Sequence, residues 1–426
     1  MKKTHAPLEV DFTRLRRDRP PVVLLGGLDL LAPLGFARIP AIVALHDARN
    51  PAFASRYCTG RCVLPPMRNF DSMAEALLEI GERLVNGLGC RVPLFYGNDD
   101  YLQLVHQYRE EFSRHYLLLL NEPEVSCALI QKDRFEPLAR ARGIPIPRTY
   151  AWAGAGPLGL GQVEGPVLVK PRDKVNWEES PVYLRMLGRA GKARVFESGR
   201  QVMADPLVRQ LKDQLTFQEY IRGDDRHLWS FHGFTDQRGA LLAWFIGRKI
   251  RTYPALTGVS TYLELAHHEP LAALGRDIVA RMGLRGAFKI DLKQDAVDRA
   301  FRVLEINARY NLWHHLGARN GLNLPQVAYD YLVDGARPVH TSYRTTYRWL
   351  HLRTDYQAYC ELASRNELTA VQWAWSLLAS RKVYHLFSWT DPMPLARRLG
   401  DRLRSWTRRA PAYVMQRLRQ WLFTAS

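Results

Sequence analysis

Two stretches about two thirds of the way along the chain constrain it most. Phe288-Lys-Ile-Asp291 and Leu304-Glu-Ile-Asn-Ala-Arg309 both alternate apolar with polar residues, the pattern of a strand with one face in a core. Side chains two apart on a strand project from one face, so Glu305 and Asn307 point together and Asp291, on a neighbouring strand, can meet them. Two carboxylates and an amide carbonyl form an all-oxygen set suited to Mg²⁺, which usually shares such a site with substrate phosphates. Arg309 follows Asn307 by two, and a fixed cation there would steady a phosphate or a developing oxyanion. The same pattern also fits a pair of strands with ordinary surface charges. The residues alone leave both readings open.

The rest of the chain narrows them. At 426 residues it is too long for one ordinary core, and two to four units are expected. Pro21-Val-Val-Leu-Leu-Gly-Gly27, a short helical stretch and Ile39 to Leu45 read as strand–helix–strand, a parallel α/β unit. A helix near 71–88, a strand at Val92 to Tyr96 and a helix from about 99 to 116 continue it. Gly26-Gly27 is not the dinucleotide fingerprint. Further on, a helix from Lys132 to Arg142 ends at Gly143 with Pro145 and Pro147 beyond, a stop signal. Strands follow at 166–171, 216–221, 227–234, 240–246, 288–292 and 301–306. The run of strands between 216 and 250, with no helix between them, predicts an antiparallel sheet.

The ordered set resembles the ATP-grasp superfamily. Asp291 with Glu305-Ile-Asn307-x-Arg309 is similar to its metal-binding end. Lys132 with Gly143-Ile-Pro-Ile-Pro147 and Thr149 resembles the start of its nucleotide-binding subdomain. Val167-Leu-Val-Lys170-Pro171 resembles the strand whose lysine meets ATP phosphates, and Gln218-Glu219-Tyr220-Ile221-x-Gly223 the hinge that holds adenine. Five motifs in the right order span roughly 130–310. The resemblance implies an α/β and α+β chain: an ATP-grasp fold behind an N-terminal Rossmann-like domain. It places that domain at 20–125, the nucleotide-binding subdomain at 126–225, the metal-bearing catalytic subdomain at 226–338 and a basic helical extension at 339–426. It implies ATP and Mg²⁺ as cofactors, with Mn²⁺ as an alternative metal.

In residue terms the resemblance puts Lys132, Lys170, Glu219, Tyr220, Ile221 and Asp224 at the nucleotide, with Asp225 as another candidate for the ribose or amino groups. Asp291, Glu305 and Asn307 hold the metal, Arg309 with Lys170 neutralises charge in the reaction, and Arg251 meets phosphate or substrate carboxylate. Arg251 comes from the run Arg248-Lys249-x-Arg251, which otherwise fits a solvated basic edge. Lys170, at the end of an apolar strand, needs an anionic partner on physical grounds, either a phosphate or a nearby carboxylate. One departure concerns the loop that closes over the phosphates. Residues 172–215 carry only Gly188, Gly191 and Gly199, unclustered, with Lys174, Asn176 or Lys192 as stand-ins.

The implied activity is an ATP-dependent carboxylate–amine (or carboxylate–thiol) ligase working through an acyl phosphate, on small-molecule carboxylate and amine substrates. The alternatives are phosphoryl transfer without ligation, or an inactive ATP-binding scaffold at a membrane. The net charge of +18 suits anionic partners without choosing among them. Cys58 and Cys62 lack a second ligand pair and read as thiols rather than a zinc site. His267 and His268 read as polar surface. Neither a leader peptide nor a spanning helix is expected, which implies a cytoplasmic location. From 395 to 426, eight arginines face one acid, Asp401, and Leu395, Leu399, Leu403 and Trp406 form a helical stripe that resumes with Tyr413, Val414, Leu418, Trp421 and Leu422. Such a helix either packs on its own protein or lies peripherally on an anionic membrane. Nucleic-acid binding is not expected, since no recognition module accompanies the tail.

Overall fold

Buried apolar runs build the first sheet. The computed structural model describes residues 8–405 apart from 68, 154–158, 173–180, 188–192, 257 and 340. Leu8–Val10 (β1), Val22–Leu25 (β2), Ala41–Leu45 (β3), Cys58–Val63 (β4), Val92–Tyr96 (β5) and Tyr116–Leu117 (β6) lie in the order β1-β4-β3-β2-β5-β6. Every residue of β2, β3 and β5 is buried, as parallel strands covered on both faces require. From β4 to β6 the neighbours are parallel, and β1 pairs antiparallel at the edge. The expected helix at 99–116 is two, Asp99–Gln107 and Arg109–Ser113, because Tyr108 between them leaves helical backbone angles.

The second sheet is small and antiparallel: Thr149–Tyr150 (β7), Val167–Pro171 (β8), Arg194–Phe196 (β9) and Leu215–Glu219 (β10), in the order β7-β10-β8-β9. Val167 and Val169 face its core with Leu215 and Phe217, which turns Leu168 and Lys170 to the other face.

The third sheet carries the acidic strands. Leu228–Thr235 (β11), Leu241–Tyr253 (β12), Val259–Leu265 (β13), Gly286–Gln294 (β14), Phe301–Asn307 (β15), Tyr347–Leu350 (β16) and Arg381–Tyr384 (β17) lie in the order β15-β14-β11-β12-β13-β16-β17. All neighbours are antiparallel except β16 and β17. The strands between 216 and 250 therefore divide between two sheets, β10 in one and β11 with β12 in the other. Beyond 338, a region expected to be a helical extension, β16 and β17 widen the catalytic sheet, alongside helices Leu352–Ser364, Ala370–Leu378 and 393–405. One face of this sheet (Phe234, Phe245, Leu263, Trp349) shares a continuous core with the first sheet. The opposite face (Phe231, Ile246, Phe288, Ile290) packs against the helix Glu269–Met282. The N-terminal unit is thereby fixed against the acidic strands rather than tethered beside them.

Candidate active site

The antiparallel register brings the expected residues together. Asp291 sits opposite Glu305, and Lys289 opposite Asn307, all on one face of the β14–β15 pair. Asn307 donates from Nδ2 to Asp291 Oδ2 at 3.3 Å and to Glu305 Oε1 at 3.1 Å. Lys289 Nζ meets Asp291 Oδ2 at 2.6 Å. The other carboxylate oxygen, Asp291 Oδ1, is buried with no hydrogen-bond partner. Burial pushes the Asp291 carboxyl above its ordinary range, opposed by Lys289 and Lys249 and reinforced by Glu305. A buried carboxylate with one orphaned oxygen beside a second carboxylate offers a free oxygen ligand, which fits a divalent cation. Among the described residues no group of three or more His, Cys, Asp or Glu side chains is arranged for a metal. A cation here would depend on Asp291, Glu305, the Asn307 carbonyl and oxygens brought by a ligand, as Mg²⁺ sites commonly do.

A lysine outside the expected set completes this face. Lys249 on β12 is half-buried, and the loss of water around it lowers its ammonium below the ordinary range while Asp291, Glu305 and Asp225 pull it back. It shares the face of Gly247 and Ser230, and Ser230 lies directly opposite Asp291. Arg251 goes elsewhere, which corrects the expectation that it faces phosphate or substrate. The residue between Lys249 and Arg251 bulges out of the β12–β13 ladder, so Lys249 pairs with Leu263 and Arg251 with the adjacent Tyr262. Adjacent partners point to opposite faces, and Arg251 is turned away from Asp291. There it donates from Nε and Nη2 to Asp355 at 2.8 Å each, from Nη2 to Ser376 Oγ at 3.1 Å, and lies over the Tyr262 ring. Lys289, Asp291 and Lys293, charged at i, i+2 and i+4 of an otherwise apolar strand, are the sequence signal that would have widened the candidate set.

Arg309 leaves β15 and turns toward the first sheet. Its Nε donates to Asp99 Oδ1 at 2.6 Å and its Nη2 to Asn307 Oδ1 at 3.2 Å. Asp99 opens a helix of the N-terminal unit, so that unit aims the arginine at the acidic face.

The hinge segment joins the two halves. Glu219 ends β10 and accepts from Arg148 N at 3.2 Å, Ile221 is buried, and the Tyr220 ring lies 4.4 Å from Lys293 Nζ. Arg222 N donates to Asp295 Oδ2 at 3.0 Å, docking the hinge on the β14–β15 turn. Asp224 is half exposed and holds His227 Nδ1 at 2.8 Å. Asp225 is buried and committed to Thr252 N and Leu256 N, which leaves Asp224 the more available carboxylate. Burial brings Lys293 down to about 8 despite Asp225, Asp224 and Asp295 nearby. Lys170 lies opposite Thr216 on the coreless face of the second sheet, half-buried. Lys132 begins the helix Lys132–Ala141, and its side chain lies outside the described residues, as do Lys174, Asn176, Gly188, Gly191 and Lys192.

The remaining expectations resolve simply. Cys58 and Cys62 are free thiols on β4, and burial pushes Cys62 up to about 12. His268 caps the helix Glu269–Met282, accepting from Leu271 N, and His267 stacks on Tyr343.

A parallel α/β unit locked against an antiparallel sheet, a small sheet hinged over it and an acidic face at the hinge define the class: the chain has the ATP-grasp fold. No family model matches it. Among individual proteins it is similar to a D-aspartate ligase of Enterococcus faecium (strain Aus0004), 21% identical over 294 residues that cover 66% of this chain and 68% of that protein. Among solved structures, a biotin carboxylase–βγ-ATP complex from Campylobacter jejuni matches with a TM-score of 0.55 at 12% identity, over 77% of this chain and 74% of that one. An L-amino acid ligase from Bacillus licheniformis matches with a TM-score of 0.51 at 12% identity, over 74% of each chain.

Proposed function

We propose that the chain is an ATP-dependent ligase that joins a small-molecule carboxylate to an amine. The observation that carries this reading is the buried Asp291–Glu305–Asn307 face with its orphaned carboxylate oxygen, set where the hinge meets the catalytic sheet. The similarity to a D-aspartate ligase and to the fold of an L-amino acid ligase supports it, as does the fold shared with a biotin carboxylase in complex with βγ-ATP.

Tyr220 and Ile221 would read the adenine edge through their backbone, with Glu219 or Asp224 at the amino or ribose groups. Lys132 and Lys170 would meet the phosphates. Mg²⁺, with Mn²⁺ as an alternative, would be held by Asp291, Glu305 and Asn307 and would supply charge neutralisation at phosphate oxygens. In the first step a substrate carboxylate oxygen attacks the γ-phosphorus and ADP leaves. In the second an amine nitrogen attacks the acyl carbon, phosphate leaves, and the amine proton passes to phosphate or water. Neither step needs a covalent enzyme intermediate. Positioning and fixed positive charge carry them. Lys249, rather than Arg251, would be the β12 cation that meets phosphate or substrate carboxylate, and Arg309, braced by Asp99, would neutralise the leaving phosphate. Peripheral membrane contact through the C-terminal basic helix is a separate proposal, independent of the ligase chemistry.

The test is trapping with hydroxylamine across a panel of carboxylates, amino acids first, with Mg-ATP. A ligase yields a hydroxamate with release of ADP. An enzyme that only phosphorylates a non-carboxylate acceptor releases ADP without one, and an inactive scaffold does neither. Binding is read separately by thermal denaturation. A ligand at ~100 times its dissociation constant adds ~2.7 kcal/mol to the folded state. Mg-ATP should raise the midpoint of the wild type, and much less that of Asn307→Ala or Lys170→Ala. No shift of the wild type at millimolar Mg-ATP would end the reading.

A further inference from the structure

The helix 393–405 bears on one choice the sequence left open: Leu395 at the start of its stripe is half-buried, while Trp406 and the continuation from Tyr413 to Leu422 lie outside the described residues. If its leucine stripe served to pack it on its own protein, Leu399 and Leu403 would be buried. They are 54% and 62% exposed. Met393 is 56% exposed, and Trp389, just before the helix, is 88% exposed, with the Phe387 ring 4.8 Å away. A tryptophan that open to water loses the burial that ordinarily repays its large apolar surface.

The base of this element is fixed, so the exposure does not come from a frayed end. Asp391 is buried and accepts from Ser55 Oγ and from Arg56 N at 3.0 Å, Arg56 Nη1 donates to Thr390 O at 3.2 Å, and Arg397 donates to Ala48 O at 3.0 Å. The start of the helix is thus clamped to the first sheet's loops while Leu399 and Leu403 project beyond the clamp.

Charge identifies what would cover it. Between 393 and 405 stand Arg397, Arg398, Arg402 and Arg404 against one acid, Asp401, which pairs with Arg404 at 2.8 Å. Arg398 and Arg402 are exposed, adjacent in sequence to Leu399 and Leu403. Pairing this surface with a second copy about a twofold axis would set arginines against arginines, a like-charge cost. A bilayer rich in anionic headgroups offers the complement: negative charge for the guanidinium groups and a shallow apolar layer for tryptophan and leucine. No described helix is long and apolar enough to cross a membrane.

We infer that Trp389, Met393, Leu399 and Leu403, with Arg398 and Arg402, form a docking element that seats the protein on an anionic bilayer surface. It places the chain on the membrane face without spanning it. The inference does not depend on the ligase reading, and its test reads binding alone.

The experiment is cosedimentation of the full chain with vesicles of 30% phosphatidylglycerol in phosphatidylcholine and with pure phosphatidylcholine, at 50 and 300 mM NaCl. Binding to the anionic vesicles, weakened by salt and much lower on the neutral ones, is expected. Each arginine near such a surface contributes about a fivefold gain in partition, so Arg398→Gln/Arg402→Gln should lose roughly 25-fold. Trp389→Ser and Leu399→Ser/Leu403→Ser should each weaken binding at least tenfold, with unchanged melting and unchanged Mg-ATP response because all three side chains are exposed. The inference is overturned if the wild type stays in the supernatant, or binds both vesicles alike. It also fails if the variants bind as the wild type does. Sedimentation velocity covers the rival: a concentration-dependent dimer that Leu399→Ser/Leu403→Ser dissociates, with no vesicle binding, would assign the face to a second copy.

Discussion

Replacing Asp355 by alanine separates a structural from a catalytic role for Arg251. Asp355 is fully buried and accepts four hydrogen bonds: two from Arg251 at 2.8 Å, one from Thr261 Oγ1 at 2.9 Å and one from Trp373 Nε1 at 2.9 Å. Removing it leaves a guanidinium with 6% side-chain exposure beside Tyr262 and Ser376 and without its counter-charge. Breaking a buried pair on one side costs ~3–5 kcal/mol. At ~2–4 °C per kcal/mol for a domain of this size, Asp355→Ala should lower the melting midpoint by roughly 6–20 °C. Arg251→Met should fall in the same range, and Arg251→Met/Asp355→Leu should lose less than the two single losses combined, because the second change removes the stranded charge. Differential scanning calorimetry reads the midpoints, and hydroxamate formation per folded molecule reads the chemistry, which should stay within a few-fold of wild type below the transition. The reasoning is refuted if Arg251→Met melts within 2 °C of wild type and loses over 100-fold in hydroxamate. That result would put the guanidinium on substrate.

Three further outcomes are expected. Lys249→Met should cut hydroxamate formation by ~10²-fold or more, the usual scale for a fixed charge at a reacting centre. Its melting midpoint should stay within a few degrees of wild type, since the ammonium is half-buried and its charge is disfavoured there; a large midpoint loss with full activity would contradict this. Lys293 is held down to about 8 from 10.5, so the unfolded chain binds more protons between those values and stability rises with pH across that window. Relative to Lys293→Met, the wild type should gain up to roughly 3 kcal/mol from pH 7.5 to 10.5 in urea titrations, and a falling or flat difference would contradict the burial of this side chain. Gly247→Ala would place a Cβ 2.2 Å from the Trp313 ring, so ~1–3 kcal/mol should be lost in the same titration, and a neutral result would show that the helix carrying Trp313 yields freely.

What was legible in the sequence follows the range of the forces involved. Strands whose every residue is buried, such as Ala41–Leu45 and Val92–Tyr96, declare themselves because burial on both faces leaves no room for a polar residue. The meeting of Asp291, Glu305 and Asn307 could be read because it needs only alternation and one pairing. Strands β16 and β17 could not. They are four residues each, separated by two helices, and gain their place by joining the edge strand β13, which ends more than eighty residues earlier. The link between Arg309 and Asp99 was equally hidden, since 210 residues separate them and only the packing of the first sheet on the third brings them together.

The exchange of Arg251 for Lys249 shows why a basic run cannot be assigned from spacing. In an unbroken strand Lys249 and Arg251 would share a face, and either could serve the acidic pair. The bulge between them shifts the register by one residue, and at a period of two that is a full reversal of facing. Each cation then meets the anions its face offers: Asp291 and Glu305 for the lysine, Asp355 for the arginine. The partition also suits their chemistry. The planar guanidinium takes both oxygens of Asp355 and gains rigidity, locking the helices after β16 to β12. The lysine, a compact charge whose ammonium burial lowers, remains on the side where phosphate would arrive. A variant that deletes Ile250 removes the bulge but makes Lys249 and Arg251 immediate neighbours on a regular strand, and neighbours face opposite ways. It should therefore keep the arginine on Asp355 and the lysine at the acidic face, with hydroxamate formation within a few-fold of wild type; a folded deletion variant that loses the pairing with Asp355 would show that the bulge does more than set which way each cation faces.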